Sequence, residues 1–198
     1  MMEKQKQPCI DLPTPAQVAQ ERERLRRRSR YRRILCSTVS VLIVVAAAAV
    51  LLATLLLPVF RIYGKSMEPT LSSGDIVLSV KAGSAEAGDL IAFYYNNKIL
   101  IKRVIACPGQ WVSIKEDGTV LVDGAVLEEP YLSEKALGEC DLAFPYQVPD
   151  GRWFVLGDHR ATSVDSRNET LGCVAEEQIA GRLILRLWPP HRITSLCG

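Results

Sequence analysis

An uncharged stretch of 24 residues, from Ile34 to Leu57, constrains this chain more than any other feature of its sequence. Its mildly polar members are Cys36, Ser37, Thr38, Ser40 and Thr54. At a rise of about 1.5 Å per residue, a helix over this stretch would be about 36 Å long, enough for a hydrocarbon core of about 30 Å. We therefore predict a transmembrane helix over 34–57. The alternative, a buried core helix, would require a soluble domain to surround it on all sides.

A basic segment directly precedes this stretch. Residues 1–33 carry ten Lys and Arg against four Asp and Glu, whereas residues 34–198 carry 14 against 18. Since basic flanks of a span stay in the cytoplasm, we expect a largely disordered cytoplasmic tail over 1–33 and an extracytoplasmic domain over 58–198. The position of the arginine run disfavours a nucleic-acid partner. A cleaved signal has an apolar centre of roughly 7 to 15 residues near the N-terminus, so the longer stretch here indicates a retained anchor.

The region after Pro58 has the pattern of a mostly β domain. Short runs rich in Val, Ile, Leu and Tyr alternate with Gly, Asp, Asn and Pro pairs, which is typical of antiparallel strands and their turns. The pairs Asn96-Asn97 and Asp117-Gly118 predict hairpin turns. This pattern favours a coiled antiparallel sheet or partly closed barrel over a βαβ fold. The predicted strands are Ile76–Val80, Leu90–Tyr94, Ile99–Ile105, Trp111–Lys115, Val120–Val122, Trp153–Leu156 and Arg182–Leu187.

Two residues in this domain could carry chemistry. Ser66 lies in a tight turn bounded by Pro69, although a serine in a turn is usually only a turn residue. Lys102 lies in a predicted strand on the face shared by Leu100 and Val104. An edge lysine that reaches water is one interpretation, and a desolvated, neutral lysine is the other. A lysine with a pKa near 10.4 is only about 0.04% deprotonated at pH 7, so it needs a lowered pKa to act as a base.

Other catalytic arrangements find less support. The chain has two histidines, and His159, in the polar segment Gly157–Arg167, is the candidate for a histidine-based mechanism. That segment is also consistent with a solvated loop. No His or Cys spacing indicates a metal site, and no glycine-rich phosphate loop is present in the sequence. We therefore expect neither a metal nor a cofactor.

Together these motifs resemble type I signal peptidases, the membrane-bound serine proteases that remove signal peptides from exported proteins. The resemblance covers nearly the whole chain in the order of that family, including the basic tail and the anchor. Beyond these, its motifs are Ser66-Met67-Glu68-Pro69-Thr70, Gly74-Asp75-Ile76-Val77, Lys102-Arg103-Val104-Ile105, Pro108-Gly109 and Gly157 to Arg167.

The resemblance implies a role for each matching residue. Ser66 would be the nucleophile and Lys102 the general base, with Ser163 orienting the lysine. Asp165 and Arg167 would hold the loop, and Asp158 would pair with Arg103. The backbone N–H of Ser66 would contribute to the oxyanion site. Small residues at positions −1 and −3 from the cut, the Ala-x-Ala pattern, would enter shallow pockets lined by Phe60, Ile62, Met67, Leu71, Leu100 and Ile101.

Several positions depart from the family pattern. Gly64 stands where some members have a Ser or Thr whose hydroxyl adds a second oxyanion donor. His159 replaces the commoner Asn, Ala106-Cys107 a Gly-aliphatic pair, and Gln110 an Asp. Residues from about 115 to 150 are expected to be a variable insert. Four cysteines lie beyond the span, and we favour pairing of Cys140 with Cys173 while Cys107 stays a buried free thiol.

The predicted partners are signal-peptide-bearing preproteins and the lipid bilayer, with a protein-export translocase as a further candidate and no nucleic acid. Two rival interpretations remain open. A soluble Ser-Lys self-cleaving repressor shares the catalytic pair, but it has no anchor and needs a helix-turn-helix region. A catalytically silent homologue could assist surface-protein or pilus assembly, but such proteins usually lose the serine or the lysine.

Overall fold

The computed structural model describes residues 14–81 and 85–196, and its first element is one long helix. Helix α1 spans Pro15–Leu56, 42 residues, which corresponds to about 63 Å. By length and composition α1 could cross a membrane, and none of its residues is buried. The apolar stretch predicted to be helical thus forms the C-terminal part of a longer helix.

The predicted disorder of the basic tail is wrong for residues 15–33, which belong to α1. Arg, Glu, Gln and Leu are good helix formers, and extending an existing helix avoids the cost of nucleation. A pair between Arg27 and Glu23, 2.9 Å apart and four residues along the chain, adds a little support. The remainder of the predicted tail, residues 1–13, lies outside the described residues.

Residues from Ala53 onward form a compact unit of their own, and its strands are antiparallel. One sheet has eight strands in the order β1-β2-β11-β3-β4-β9-β10, with β12 paired to β11, and a second has four in the order β7-β6-β5-β8. The strands are β1 (Val59–Arg61), β2 (Ile76–Val80), β3 (Leu90–Tyr95), β4 (Lys98–Ala106), β5 (Trp111–Ile114), β6 (Val120–Val122), β7 (Ala125–Val126), β8 (Tyr146–Gln147), β9 (Arg152–Leu156), β10 (Val174–Ala175), β11 (Ile179–Trp188) and β12 (Thr194–Ser195). Short 3-10 turns span Glu176–Gln178 and Pro190–Arg192.

The predicted mostly β fold class is confirmed, and each of the seven predicted strands is present. The hairpin turn between β3 and β4 has φ of 44° at Asn96 and 62° at Asn97, the left-handed conformation that a tight hairpin requires and that asparagine tolerates. This turn fixes the register of β3 against β4. As a result, Lys102 lies opposite Ile91 and Arg103 opposite Leu90.

Strand β4 has a buried half and an accessible half. Its C-terminal residues pair with β9, with Arg103 opposite Leu156 and Val104 opposite Val155. Val104 packs in one core cluster and Ile105 in another, so both faces of the strand are covered here. Burial decreases from Lys102 back toward the exposed Lys98. Lys102 therefore lies where β4 emerges from the core.

Candidate active site

Ser66 lies in the turn that connects β1 to β2 and is half-buried. The base of this connection is closed by hydrogen bonds from the Ile62 N–H to the Asp75 carbonyl, 2.8 Å, and from the Gly74 N–H to the Ile62 carbonyl, 2.9 Å. The Ser66 carbonyl accepts the His159 N–H at 3.0 Å. The turn that carries the serine is thus tied directly to the polar segment Gly157–Arg167, which we call the polar loop.

Lys102 is almost completely buried, with 3% of its surface exposed. Its Nζ donates a hydrogen bond to the Ser163 hydroxyl at 3.0 Å. Burial lowers the pKa of Lys102 to about 8, while the carboxylate of Asp165 opposes this effect and the guanidinium of Arg167 adds to it. The lysine is therefore partly neutral near physiological pH, as the desolvated interpretation predicts.

The polar loop is held by hydrogen bonds to two of its own buried side chains, Asp165 and Arg167. The Asp165 carboxylate accepts the Gly157 N–H at 3.0 Å and binds the Arg167 guanidinium at 2.8 Å through Nε and 2.9 Å through Nη2. Arg167 Nη2 also donates to the carbonyls of Arg160 and Ser163, at 2.8 and 3.3 Å. Both side chains are 1% exposed, so the loop backbone around Ser163 is fixed from inside the protein.

Gly157, at the start of the polar loop, lies where no side chain fits. A Cβ at this position would be 2.1 Å from the Ser163 hydroxyl oxygen and 2.6 Å from the Ser66 carbonyl oxygen. The α-carbon of Gly157 therefore touches both the residue that contacts Lys102 and the backbone of Ser66. This packing brings the serine turn and the polar loop together.

Arg103, the neighbour of Lys102 on β4, forms a buried bidentate pair with Asp158. Its Nε and Nη2 donate to the two carboxylate oxygens at 3.0 and 2.7 Å. The Thr70 hydroxyl also donates to Asp158, and Arg103 Nη1 donates to the Gly88 carbonyl at 2.9 Å. The pair thus connects β4, the polar loop and the end of the serine turn.

A cavity of about 500 Å³ opens beside Ser66 and Lys102. Five of the six predicted pocket residues line it, namely Phe60, Ile62, Met67, Leu100 and Ile101. Leu71 does not line it, and its predicted pocket role is wrong. Leu71 is fully buried and packs in the core against Ile62 and Met67, because the serine turn folds it inward. The lining also includes residues that the motifs did not indicate, namely Arg61, Tyr63, Gly64, Lys98 and Ile99.

His159 is half-buried, and its Nδ1 lies 2.9 Å from the Thr162 hydroxyl within the polar loop. It is not among the residues that line the cavity with Ser66 and Lys102. The structure therefore brings Lys102, and not His159, to the cavity of the serine. Among the described residues, no group of three His, Cys, Asp or Glu side chains could hold a metal ion.

The expected pairing of Cys140 with Cys173 is wrong, since both are free thiols in the structure. The Cys140 thiol donates to the Leu142 carbonyl, whereas the Cys173 thiol lies in a core cluster and donates to the Tyr146 hydroxyl, each at 3.8 Å. Cys107 is also free, but it is half-buried instead of buried. Cys9 and Cys197 lie outside the described residues.

Sequence reasoning missed three residues behind the site: Glu129, Tyr131 and Arg160. Arg160 is 2% exposed and forms a bidentate ion pair with Glu129, which is 8% exposed. The Tyr131 ring lies 3.8 Å below the Arg103 guanidinium carbon. Glu129 and Tyr131 lie in an irregular connection without strand or helix periodicity, so no sequence pattern indicated their partners.

The family model described as signal peptidase, peptidase S26, matches residues 35–188 of the chain. The chain is 36% identical over 146 residues to thylakoidal processing peptidase 1 of Arabidopsis thaliana, a match that covers 65% of this chain and 41% of that protein. It is 35% identical over 150 residues to signal peptidase IB of Staphylococcus aureus, which covers 66% and 77%. The crystal structure of a signal peptidase I from Enterococcus faecalis aligns with 30% identity and a TM-score of 0.40, over 50% of this chain and 95% of that one.

The chain belongs to the signal peptidase family, peptidase S26. Signal peptidases of this family are serine endopeptidases. The chain spans about two fifths of the length of the thylakoidal relative and about three quarters of the staphylococcal one.

Proposed function

We propose that this chain is a membrane-anchored serine endopeptidase that removes N-terminal signal peptides from exported preproteins, with Ser66 as nucleophile and Lys102 as general base. One observation carries the proposal: a buried lysine with a lowered pKa lines the same cavity as a serine in a tight turn. Family membership supplies the reaction class.

The lowered pKa gives Lys102 the proton affinity that a base needs. With a pKa of about 8, roughly a tenth of the lysine is neutral at pH 7, compared with about 0.04% at its unperturbed pKa. Neutral Nζ keeps a lone pair to accept the Ser66 hydroxyl proton. The Ser163 hydroxyl at 3.0 Å from Nζ limits the rotation of the lysine and aims that lone pair.

The reaction follows the usual course of acyl transfer. Ser66 Oγ forms a bond to the carbonyl carbon of the scissile peptide as Lys102 Nζ takes the hydroxyl proton. When the C–N bond breaks, Lys102 passes this proton to the leaving amine, and the signal peptide remains as an ester on Ser66. A water molecule then gives a proton to Lys102 and attacks the ester. As the ester C–O bond breaks, Lys102 passes this proton to Ser66 Oγ, and the signal peptide leaves as a carboxylic acid that ionises in water.

The Ser66 backbone N–H is the proposed oxyanion donor. Gly64, at the position where some members of the family would have a hydroxyl, has φ of +91°, a conformation that side chains rarely adopt. A Ser or Thr here would need a different backbone path. The backbone conformation at residue 64 therefore explains why this chain has glycine, and no second side-chain donor, at this position.

The cavity supports a preference for small side chains next to the cut. Phe60, Ile62 and Ile101 give it an apolar lining, and an apolar pocket rejects side chains that are too large to fit. Within the described part of the chain, the pairing of β4 with β9 begins at Arg103, which leaves one edge of Lys98–Lys102 for an extended peptide. We propose cleavage after Ala-x-Ala sites bound as an added strand.

The anchor would be the apolar part of α1, 34–57, with residues 1–33 cytoplasmic and 58–198 on the exported side. The basic run before the apolar stretch supports this orientation. The lipid bilayer and preproteins are then the direct partners, and the export translocase is a candidate neighbour.

The test is cleavage of a precursor with an Ala-x-Ala site by detergent-solubilised wild type and three single variants. We expect Ser66→Ala and Lys102→Ala to lose activity and His159→Ala to retain it. Activity that survives Lys102→Ala but is lost in His159→Ala would overturn the assignment of the base. No cleavage by the wild type would favour the silent accessory function.

A further inference from the structure

Three arginines lie buried behind the proposed catalytic pair, Arg103, Arg160 and Arg167, at 7%, 2% and 1% exposure. Each contacts residues 129–138, which lie within the connection between β7 and β8 and which we call the strap. We propose that Glu129 is a positioning residue for catalysis. The strap, which joins two strands of the four-stranded sheet, would set the geometry of the polar loop. This inference rests on the proposed function.

Glu129 acts on the loop through Arg160. Its carboxylate binds both terminal nitrogens of Arg160, with 3.1 Å from Nη1 to Oε2, and it also accepts the Tyr131 hydroxyl at 2.8 Å. Arg160 in turn donates from Nε to the Gly157 carbonyl at 3.1 Å. Gly157 packs against Ser163 and the Ser66 carbonyl. A displacement of Arg160 would therefore move Gly157, and Gly157 would in turn shift both of these groups.

Tyr131 connects the strap to β4. Its ring packs against the Arg103 guanidinium, 3.8 Å from ring centroid to carbon, while its hydroxyl is held by Glu129. Burial and the Glu129 carboxylate raise the pKa of the Tyr131 hydroxyl, so it remains a donor at all working pH values. Glu129 therefore fixes Arg103, the neighbour of Lys102, as well as Arg160.

The far end of the strap holds Arg167. Arg167 Nη1 donates to the Leu137 carbonyl, and a Cβ on Gly138 would be 2.7 Å from Nη1 and 2.5 Å from the Arg160 carbonyl oxygen. Gly138 also has φ of +63°. The strap thus contacts all three arginines, whereas none of residues 129–138 lines the substrate cavity.

These contacts predict an effect on turnover that leaves substrate binding intact. Glu129→Gln keeps the side-chain shape but leaves the Arg160 charge buried without its counter-charge, so Arg160 should shift toward water. We expect kcat to fall about tenfold or more, since small misplacements of catalytic groups are costly, and KM to change less than about twofold. Because Glu129 acts on the loop through Arg160, adding Arg160→Gln to Glu129→Gln should lower kcat little further, whereas independent effects of the two substitutions would multiply.

The experiment measures kcat and KM on the same precursor for wild type, Glu129→Gln, the double variant and Glu128→Gln, at a temperature where melting curves show every variant folded. Glu128 is exposed and adjacent, and its variant should match the wild type. An unchanged kcat in folded Glu129→Gln, a rise in KM alone, or a double variant with a kcat far below that of Glu129→Gln would each overturn the proposal. Failure of the proposed function would instead appear as a wild type that cuts nothing.

Discussion

At the scale of single residues, the lowered pKa of Lys102, the proposed base, should set the pH response of the activity. Because only neutral lysine accepts the serine proton, we expect kcat/KM to rise with pH up to about 8 and then to level off. Lys102→Arg should be inactive at every pH, since arginine stays protonated. A pH–rate profile of the wild type checks the first expectation, and a profile that is already flat between about pH 6 and 8 would contradict it.

The same burial predicts an effect on stability. The pKa of Lys102 falls from 10.5 in the unfolded chain to about 8 in the folded one, which corresponds to a cost of about 3 kcal/mol. The cost applies in full below pH 8, where both states are protonated, and disappears as pH rises from 8 to 10.5. Lys102→Met should therefore unfold at higher denaturant than the wild type at pH 7, with an advantage that shrinks by pH 10.

The control for this measurement is Lys115→Met, since Lys115 is exposed and its replacement should change the free energy of unfolding little. Equal stability of Lys102→Met and wild type at pH 7 would show that the buried lysine carries no such cost.

The chemistry of individual residues was predictable to different degrees. Strand alternation placed Lys102 beside Leu100 and Val104, which left an edge lysine and a desolvated lysine as alternatives, and the 3% exposure of its surface supports the second. Glu129 was not predictable, because its partner Arg160 is 31 positions away and neither residue follows a periodic pattern. Leu71 was misassigned for a related reason, since only the path of the turn decides which side chain it folds inward.

At the scale of elements, the junction between the polar loop and the serine turn depends on Gly157. Gly157→Ala places a methyl group 2.1 Å from the Ser163 hydroxyl oxygen, so the loop must move away from Lys102. We expect a loss of kcat of at least about a hundredfold in the precursor assay. Gly151→Ala is the comparison, because its Cβ meets nothing within 4 Å although its φ of +66° costs some strain. Wild-type turnover by Gly157→Ala would contradict the assigned packing.

A pair of variants distinguishes a residue that lines the cavity from a residue of the hydrophobic core. Ile101→Ala enlarges the cavity. For a precursor with Val at position −1, it should raise kcat/KM by about tenfold relative to the kcat/KM of the precursor with Ala at that position. Leu71→Ala, in the core, should lower the free energy of unfolding by about 2 to 5 kcal/mol and leave this preference unchanged. Competition between two precursors measures the ratio, and an unaltered ratio in Ile101→Ala would count against the pocket assignment.

Strands of four or more residues were predictable because their alternation and flanking turns are local signals. The three-residue strand β6 was predictable from the Asp117-Gly118 turn that precedes it. β1, β7, β8, β10 and β12, at two or three residues each, are too short to show alternation and exist through their partners. The early start of α1 was missed for a different reason. A charged sequence without an apolar face has no helical periodicity of hydrophobic residues. A helix that has already formed in the adjoining apolar stretch can nevertheless extend into it.

At the scale of the whole molecule, we expect the proposed catalytic unit to fold and act without its anchor. Residues from Ala53 onward form a compact unit. A chain lacking residues 1–52 should therefore cut a soluble peptide with kcat near that of the full chain but process a bilayer-inserted precursor poorly. Parallel assays in detergent and in vesicles make the comparison. An unfolded or inactive truncated chain would show that the helix is part of the catalytic unit.

Each buried arginine behind the site has a carboxylate partner: Arg103 with Asp158, Arg160 with Glu129 and Arg167 with Asp165. Dissolved ions screen such enclosed pairs far less than they screen surface charges. The proton affinity of Lys102 should therefore be nearly independent of ionic strength. An enzyme built in this way keeps one pH response in dilute and in saline surroundings.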